Sequence, residues 1–344
     1  MANIDWSKLT FSYTKTNTIL KTTFVDGAWT PVESCTDDYL HLSASAGALH
    51  YAIECFEGLK AFRAKDGSVR LFRPEENAKR LRRSAEFLGI EAPSIEMFVQ
   101  MCEQAVRENL EFLPPYESRA SLYLRPTLLG YGPQLGVASS HEAMFMVLCS
   151  PVGAYTGGNL EPVNCVIARN YDRAAPFGTG SHKVGGNYAT SLYSLNIAHK
   201  QGYKAVLYVT PDHRENIDEF NSSNFFAIKG NSYITPKSGS ILPSITNKSL
   251  EEAAAYLGMT VERRPVAIAE LSTFDEVGEC GTAVVITPVS HLDDKPFLES
   301  EEVTRYSFVT EGCGPKSQKL YDFITGIQYG EIEDPFGWNH EVEC

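Results

Sequence analysis

The stretch Gly178-Thr-Gly-Ser-His-Lys-Val-Gly-Gly-Asn-Tyr188 sets one lysine, Lys183, among small residues just ahead of a helical pattern running from Tyr188 to His199. Where backbone packs closely around an amine its charged form is disfavoured, and the neutral amine is a competent Schiff-base nucleophile. A surface lysine in a glycine-rich turn has the same local sequence, so this stretch alone leaves both readings open. Further on, Ile217-Asp-Glu-Phe-Asn-Ser-Ser-Asn-Phe225 runs acids and amides straight into an apolar strand. An acid buried there needs a cation, and a pyridinium nitrogen serves, because a carboxylate keeps the ring protonated and strengthens it as an electron sink. A polar loop of solvated acids is the alternative. Leu242-Pro-Ser-Ile-Thr246 precedes a helix and can offer the N–H groups of Ile245 and Thr246 to a phosphate. Gly281-Thr282-Ala283 opens a strand with a hydroxyl and two more backbone donors. Taken singly, both are ordinary turns.

Outward from these segments, Glu75 to Leu88 has the apolar stripe of an amphipathic helix, opened after Pro74 and ended by Gly89. A second helix runs from an N-cap at Ser94 to Phe112, and Pro114 and Pro115 stop it. Ser121–Leu124, Ala143–Cys149, Val163–Ala168, Ala205–Val209, Thr260–Arg264 and Ala283–Thr287 have strand character, and Phe225–Ile228 and Ser232–Thr235 form a hairpin about Gly230 and Asn231. A Ser-x-x-Glu capping box at Ser249 and Glu252 predicts a helix over Ser249–Leu257. The chain turns Gly-, Pro- and Asn-rich without periodicity between Pro151 and Pro162. The reading is therefore an N-terminal α/β domain over 1–152, a linker over 153–162, and a larger cofactor-binding domain over 163–344.

With 43% apolar residues over 344 positions, the chain can bury more than one core usually organises. A formal charge of −13 argues against nucleic acid or an anionic membrane surface as the main partner. No run of about 18 apolar residues occurs, and Met1–Thr10 has no basic segment leading into an apolar one. The expectation is a cytoplasmic protein. Eight cysteines are dispersed with no C-x-x-C pair and no Cys/His clustering, so the expected state is reduced thiols and no metal site.

The order Lys-x-Gly-Gly-Asn-Tyr188, Ile217-x-Glu-x-x-x-x-Asn-Phe225, Leu242-Pro-x-Ile-Thr246 and Gly281-Thr-Ala-x-x-x-x-Pro-Val289 closely resembles the branched-chain aminotransferases of PLP fold type IV. The resemblance extends upstream to His50-Tyr-Ala-Ile-Glu-Cys-Phe-Glu-Gly-Leu-Lys-Ala-Phe62, Arg80-Leu-Arg-Arg-Ser-Ala85, Leu122-Tyr-Leu-Arg-Pro-Thr127 and Leu135-Gly-Val137, and downstream to Ile327-Gln-Tyr-Gly330. It implies a two-domain α/β (α+β) fold, like that of the D-amino acid aminotransferases, with pyridoxal 5'-phosphate in the cleft.

By that resemblance Lys183 holds the cofactor covalently and moves the proton between substrate Cα and cofactor C4′. Glu219 pairs with the pyridine nitrogen, Tyr188 bonds the phenolic oxygen, and Ser222 belongs to the cofactor set. Arg80, Ile245, Thr246 and Thr282 hold the phosphate. Phe56, Tyr123, Arg125, Tyr155 and Ala283 line the substrate pocket, with Tyr51, Leu135 and Val137 reaching in from a second subunit, which implies a homodimer. The implied reaction is amino transfer between leucine, isoleucine or valine and 2-oxoglutarate. A D-amino acid aminotransferase, an aminodeoxychorismate lyase and a PLP-binding protein without turnover are the alternatives. The family usually has glycine at Asn221 and Ser244, commonly valine at Phe220, often threonine at Ser222, and aspartate or cysteine at His182. Phe11 to Leu20 resembles the family's pocket-lining strand only loosely, and no role is carried over from it.

Overall fold

The computed structural model describes residues 4–153, 160–309 and 311–344. Contacts divide the chain into two compact units, one of Met1–Gly157, His182–Gly185 and Gly326–Cys344, the other of Gly158–Ser181 and Gly186–Thr325. This differs from a single cut followed by one continuous domain over 163–344. The tail returns to the first unit because its last strand finds a partner there, and the four residues around Lys183 are claimed by the same unit.

In the first unit the strands are β1 (Ile19–Val25), β2 (Ala28–Trp29), β3 (Glu33–Cys35), β4 (Glu54–Phe56), β5 (Leu59–Arg63), β6 (Val69–Phe72), β7 (Ser121–Gly130) and β8 (Ala143–Val152). All their pairings are antiparallel, in the path β6-β5-β7-β8-β1-β2, with β3 on β1 and β4 on β7. After the short α1 (Gly47–Tyr51), helices α2 (Pro74–Leu88) and α3 (Ile95–Glu108) cover one face of this sheet. Strand alternation decides which residues they bury. Leu122, Leu124 and Leu128 of β7, with Phe145 and Val147 of β8, join Leu81, Ala85, Phe98 and Met101 in one core. The other parity of β7 carries Tyr123, Arg125 and Thr127. That strand runs six residues past the predicted Leu124, straight through Pro126, whose carbonyl accepts from Glu57 N. The α3 helix stops at Glu108 rather than Phe112, because Leu110–Phe112 tightens into a 3-10 turn.

The second unit has β9 (Val163–Ala168), β10 (Ala205–Val209), β11 (Ile217–Phe220), β12 (Asn224–Lys229), β13 (Ser232–Pro236), β14 (Thr260–Arg264), β15 (Glu276–Gly281), β16 (Val285–Lys295) and β17 (Thr304–Ser307). The path β11-β10-β9-β16-β15-β12-β13-β14 is closed on itself by a pairing of β11 with β12. Pairings of β9 with β10 and β16, and of β13 with β14, are parallel. The β12–β13 hairpin has the predicted turn: Lys229 faces Ser232, and Gly230 takes the positive φ of 53° that a tight turn requires. Its helices are α4 (Gly185–Ala189), α5 (Leu192–Lys200), α6 (Ile245–Tyr256) and α7 (Pro315–Gln328). The predicted helix from Tyr188 to His199 is thus two helices, broken at Thr190–Ser191. The chain ends in β18 (Asn339–Val342), which pairs antiparallel with β6 and extends the first unit's sheet.

Two further local expectations change. Helix α6 begins at Ile245, four residues ahead of the predicted capping box, because Ser244 is the true N-cap: its hydroxyl accepts from Asn247 N at 3.1 Å. Ser249 lies inside the helix and donates to Ile245 O at 2.9 Å. Ala283 is in the turn between β15 and β16 rather than in a strand, and that turn leaves Val285 at φ 62°, a conformation costly for a β-branched residue.

Candidate active site

Strand pairing builds the surroundings of Lys183 in the first unit. Its peptide runs alongside β4: Phe56 N donates to Lys183 O at 3.1 Å, Cys55 bridges Val184, and Gly185 N donates to Glu54 Oε1 at 2.7 Å. From α2, the Ser84 hydroxyl accepts from Lys183 N at 2.9 Å. The glycine-rich stretch is therefore a bound edge segment and not a free turn. The lysine amine lies 4.8 Å from the Phe56 ring centre, and the Arg125 guanidinium lies 4.9 Å from the same centre. Arg125 also donates to the Tyr123 hydroxyl at 3.0 and 3.3 Å. Phe56, Tyr123 and Arg125 share one sheet face because Phe56 pairs with Thr127 and strand alternation repeats every second residue. An amine, a guanidinium, a phenyl ring and a phenol thus gather on one face of the sheet.

Arg80, expected to hold a phosphate, is buried and grips Glu57 with two parallel bonds of 2.7 Å, from Nε to Oε1 and from Nη2 to Oε2. Glu57 is fully buried and also accepts from Asn77 at 2.8 Å. This fork fixes the guanidinium plane. Glu57→Ala strips a buried arginine of its counter-charge, so it is expected to lower the stability of the apo protein by about 3–5 kcal/mol, read from guanidinium unfolding; a loss under ~1 kcal/mol rules out the clamp.

Glu219 is the organising acid of the second unit. It lies on β11, only 4% exposed. Arg173 donates to its Oε1, as does Leu242 N at 3.1 Å, and Asn224 Nδ2 donates to Oε2 at 3.1 Å. Burial pushes this carboxyl up to about 7, while Arg173 and the Leu242 N–H pull it down. Three of its roughly four acceptor sites are used. The fourth, on a buried carboxyl, fits a protonated ring nitrogen. Arg173 escaped the sequence reading, where nothing local marks it; the one available signal was that an acid buried at a strand edge needs a cation.

Tyr188, on α4, lies under the Arg173 guanidinium at 5.9 Å. Ile245 and Thr246 are the first two residues of α6, so their N–H groups have no acceptor inside the helix and suit a phosphate. Thr282 sits in the β15–β16 turn beside Ala283. Ser222 is exposed at the β11–β12 connection, its hydroxyl accepting from Asn221 at 3.3 Å. In the first unit, Tyr51, Leu135 and Val137 form a surface group, with Leu135 and Val137 86% and 82% exposed and the Tyr51 hydroxyl donating to Leu135 O at 2.5 Å. Tyr155 lies outside the described residues. Phe11, which the sequence left unassigned, stands edge-on to Tyr123 at 4.9 Å.

Residues 54–292 match the family model for amino-transferase class IV. A branched-chain-amino-acid aminotransferase of Haemophilus influenzae is 46% identical over 350 residues, covering 100% of both chains. This chain belongs to the class IV aminotransferases. A branched-chain-amino-acid aminotransferase of Helicobacter pylori is 44% identical, with 99% of each chain covered. Among solved structures, the branched-chain amino acid aminotransferase of Escherichia coli superposes with a TM-score of 0.80 at 26% identity, over 96% of this chain and 100% of the other. Another solved branched-chain amino acid aminotransferase, in complex with pyridoxamine 5'-phosphate, gives 0.78 at 25% identity, over 96% and 99%. The fold is the two-domain fold of these enzymes. Among the described residues, no helix is long and apolar enough to cross a membrane.

Proposed function

We propose that this chain is a branched-chain amino acid aminotransferase, moving the amino group of L-leucine, L-isoleucine or L-valine to 2-oxoglutarate with pyridoxal 5'-phosphate, as a cytoplasmic homodimer. The observation that carries the reading is the lysine amine held on Phe56 beside Tyr123 and Arg125, an apolar wall with a cationic and phenolic end. The names of the full-length relatives support it.

Bound pyridoxal phosphate supplies the carbonyl that receives the amino group and the ring that takes up the electron pair released at the substrate α-carbon. The chain's residues do the rest. Lys183 anchors the cofactor through its amine and then carries the proton removed from the substrate α-carbon. Glu219, steadied by Arg173, Asn224 and Leu242 N, keeps the ring nitrogen protonated, and Tyr188 donates to the phenolic oxygen. Arg80, Ile245, Thr246 and Thr282 take the phosphate, and Ser222 belongs to the cofactor set. Phe56, Tyr123, Tyr155 and Ala283 bound the aliphatic side chain, and Arg125 binds the distal carboxylate of 2-oxoglutarate. Tyr51, Leu135 and Val137 complete the pocket of the second subunit; their exposure on an isolated chain supports that role.

An apolar slot gains about 0.8 kcal/mol for each methylene it buries. Leucine and isoleucine have three carbons more than alanine, so kcat/KM is expected to favour them by roughly 2 kcal/mol, a few tens-fold. L-Aspartate ranks lower still, because its second carboxylate is desolvated against aromatic walls. A panel of L-leucine, L-isoleucine, L-valine, L-alanine, L-aspartate and D-alanine with 2-oxoglutarate tests this. D-Alanine or L-aspartate at the head of the panel overturns the reading.

A further inference from the structure

Glu54 begins β4 two residues before Phe56 and pairs with Leu129, which puts its side chain on the sheet face of Phe56, Tyr123 and Arg125. It is half-buried, and its Oε1 accepts from Gly185 N at 2.7 Å. The approach is so close that a Cβ on Gly185 would sit 1.9 Å from that oxygen, so the position admits only glycine while this bond is kept. Burial raises the Glu54 carboxyl, while the Gly185 N–H and the charge of Arg125 lower it. Arg125 therefore does not stand alone on this face. It shares the face with the acid Glu54, two residues from Phe56, and the Arg125 guanidinium and the lysine amine lie 4.9 and 4.8 Å from the centre of the Phe56 ring.

We propose that Glu54 is a positioning and specificity-determining residue, tying the peptide after Lys183 to β4 and offsetting the charge of Arg125, so that this arginine holds a distal carboxylate only weakly. The inference rests on the reading of Arg125 given above. Its physical sense lies in the demands of one site serving two substrates in turn. An arginine with no counter-charge, on a half-buried apolar face, draws dicarboxylates strongly and disfavours release of the dicarboxylate. An acid alongside weakens that attraction without touching an aliphatic side chain, whose binding depends on buried area rather than charge.

The test is ligand titration by calorimetry on the cofactor-loaded protein, with two unreactive probes, glutarate for the dicarboxylate and 4-methylvalerate for the aliphatic substrate. Glu54→Gln keeps an acceptor for Gly185 N and removes the charge. It is expected to tighten glutarate about three- to tenfold, as a partly buried charge pair does, and to leave 4-methylvalerate within about twofold. In an Arg125→Met background the effect on glutarate disappears. Glu54→Ala removes the charge and also the acceptor for Gly185 N, so it carries the glutarate prediction alone should the glutamine variant not fold. Unchanged glutarate affinity, an equal shift for both probes, or an effect that persists without Arg125 overturns the proposal. A wild type that turns over L-leucine with 2-oxoglutarate while the variants behave in that way sinks this inference alone; a wild type with no such turnover sinks the reading beneath it.

Discussion

Replacing Lys183 with alanine is expected to leave a folded protein that binds pyridoxal 5'-phosphate without a covalent bond and turns over by several powers of ten more slowly. The fold survives because the backbone holds this segment: Lys183 N donates to Ser84 Oγ and Lys183 O accepts from Phe56 N, and both bonds are indifferent to the side chain. Among what the side chain loses is a contact with the Phe56 ring at 4.8 Å, about 0.5–2 kcal/mol. Function loses far more. Acid–base catalysis by a placed side chain accounts for ~10²–10⁴ in rate, and the covalent route is lost with it. Borohydride reduction followed by peptide mass analysis is the direct check. Label found on Lys60, Lys204 or another lysine of the wild type, or near-normal turnover by the variant, removes Lys183 from its role.

Glu219→Gln is expected to cost about 10²–10³ in kcat, the usual scale for one electrostatic stabiliser of charge formed in the transition state. The amide still accepts from Leu242 N and Arg173 but cannot keep a ring nitrogen protonated. The change also reaches the fold. Arg173, 7% exposed, loses the carboxylate that compensates its charge, so the unfolding midpoint of the apo variant drops as well. A pH signature accompanies the loss. The raised carboxyl ionises near 7, and the cofactor's ring cation favours the ionised form, so the affinity of the wild type for pyridoxal phosphate weakens as the pH falls through about 7. The glutamine variant lacks that limb. The control is Asp218→Asn, at the preceding position of the strand, where Oδ2 accepts from the Ser240 hydroxyl. A larger loss from Asp218→Asn than from Glu219→Gln reassigns the acid of this strand.

Elements with a strong period are legible from residue order. The strands Val163–Ala168, Ala205–Val209 and Thr260–Arg264 and the hairpin about Gly230 carry their own apolar runs and turn residues, and α2 ends at Gly89 as its pattern requires. Errors fall where two local signals compete. Ser244 and Ser249 are both residues that can cap a helix, and packing of Ile245, Leu250, Ala253 and Ala254 into the core selects the earlier start. Ala283 and Val284 read as strand because they lead into the β-branched run Val284-Val-Ile-Thr287, yet the chain must reverse there to pair β15 with β16.

The candidate site divides along the same line. Residue type and order along the chain determined which groups are present: an amine among glycines, an acid before an apolar strand, a helix start with open N–H groups, a threonine in a turn. Those are local properties, set by a few neighbours. Only the tertiary structure decided which groups compensate one another: Arg173 with Glu219, Arg80 with Glu57, Glu54 with the peptide of Gly185, and the tail strand Asn339–Val342 with β6. These partners lie between 23 and 273 residues apart in the chain, as the Arg80–Glu57 and Val342–Val69 pairs mark. A buried charge requires a partner of opposite sign, but nothing in its local sequence says which of the chain's cations or acids the fold will bring to it.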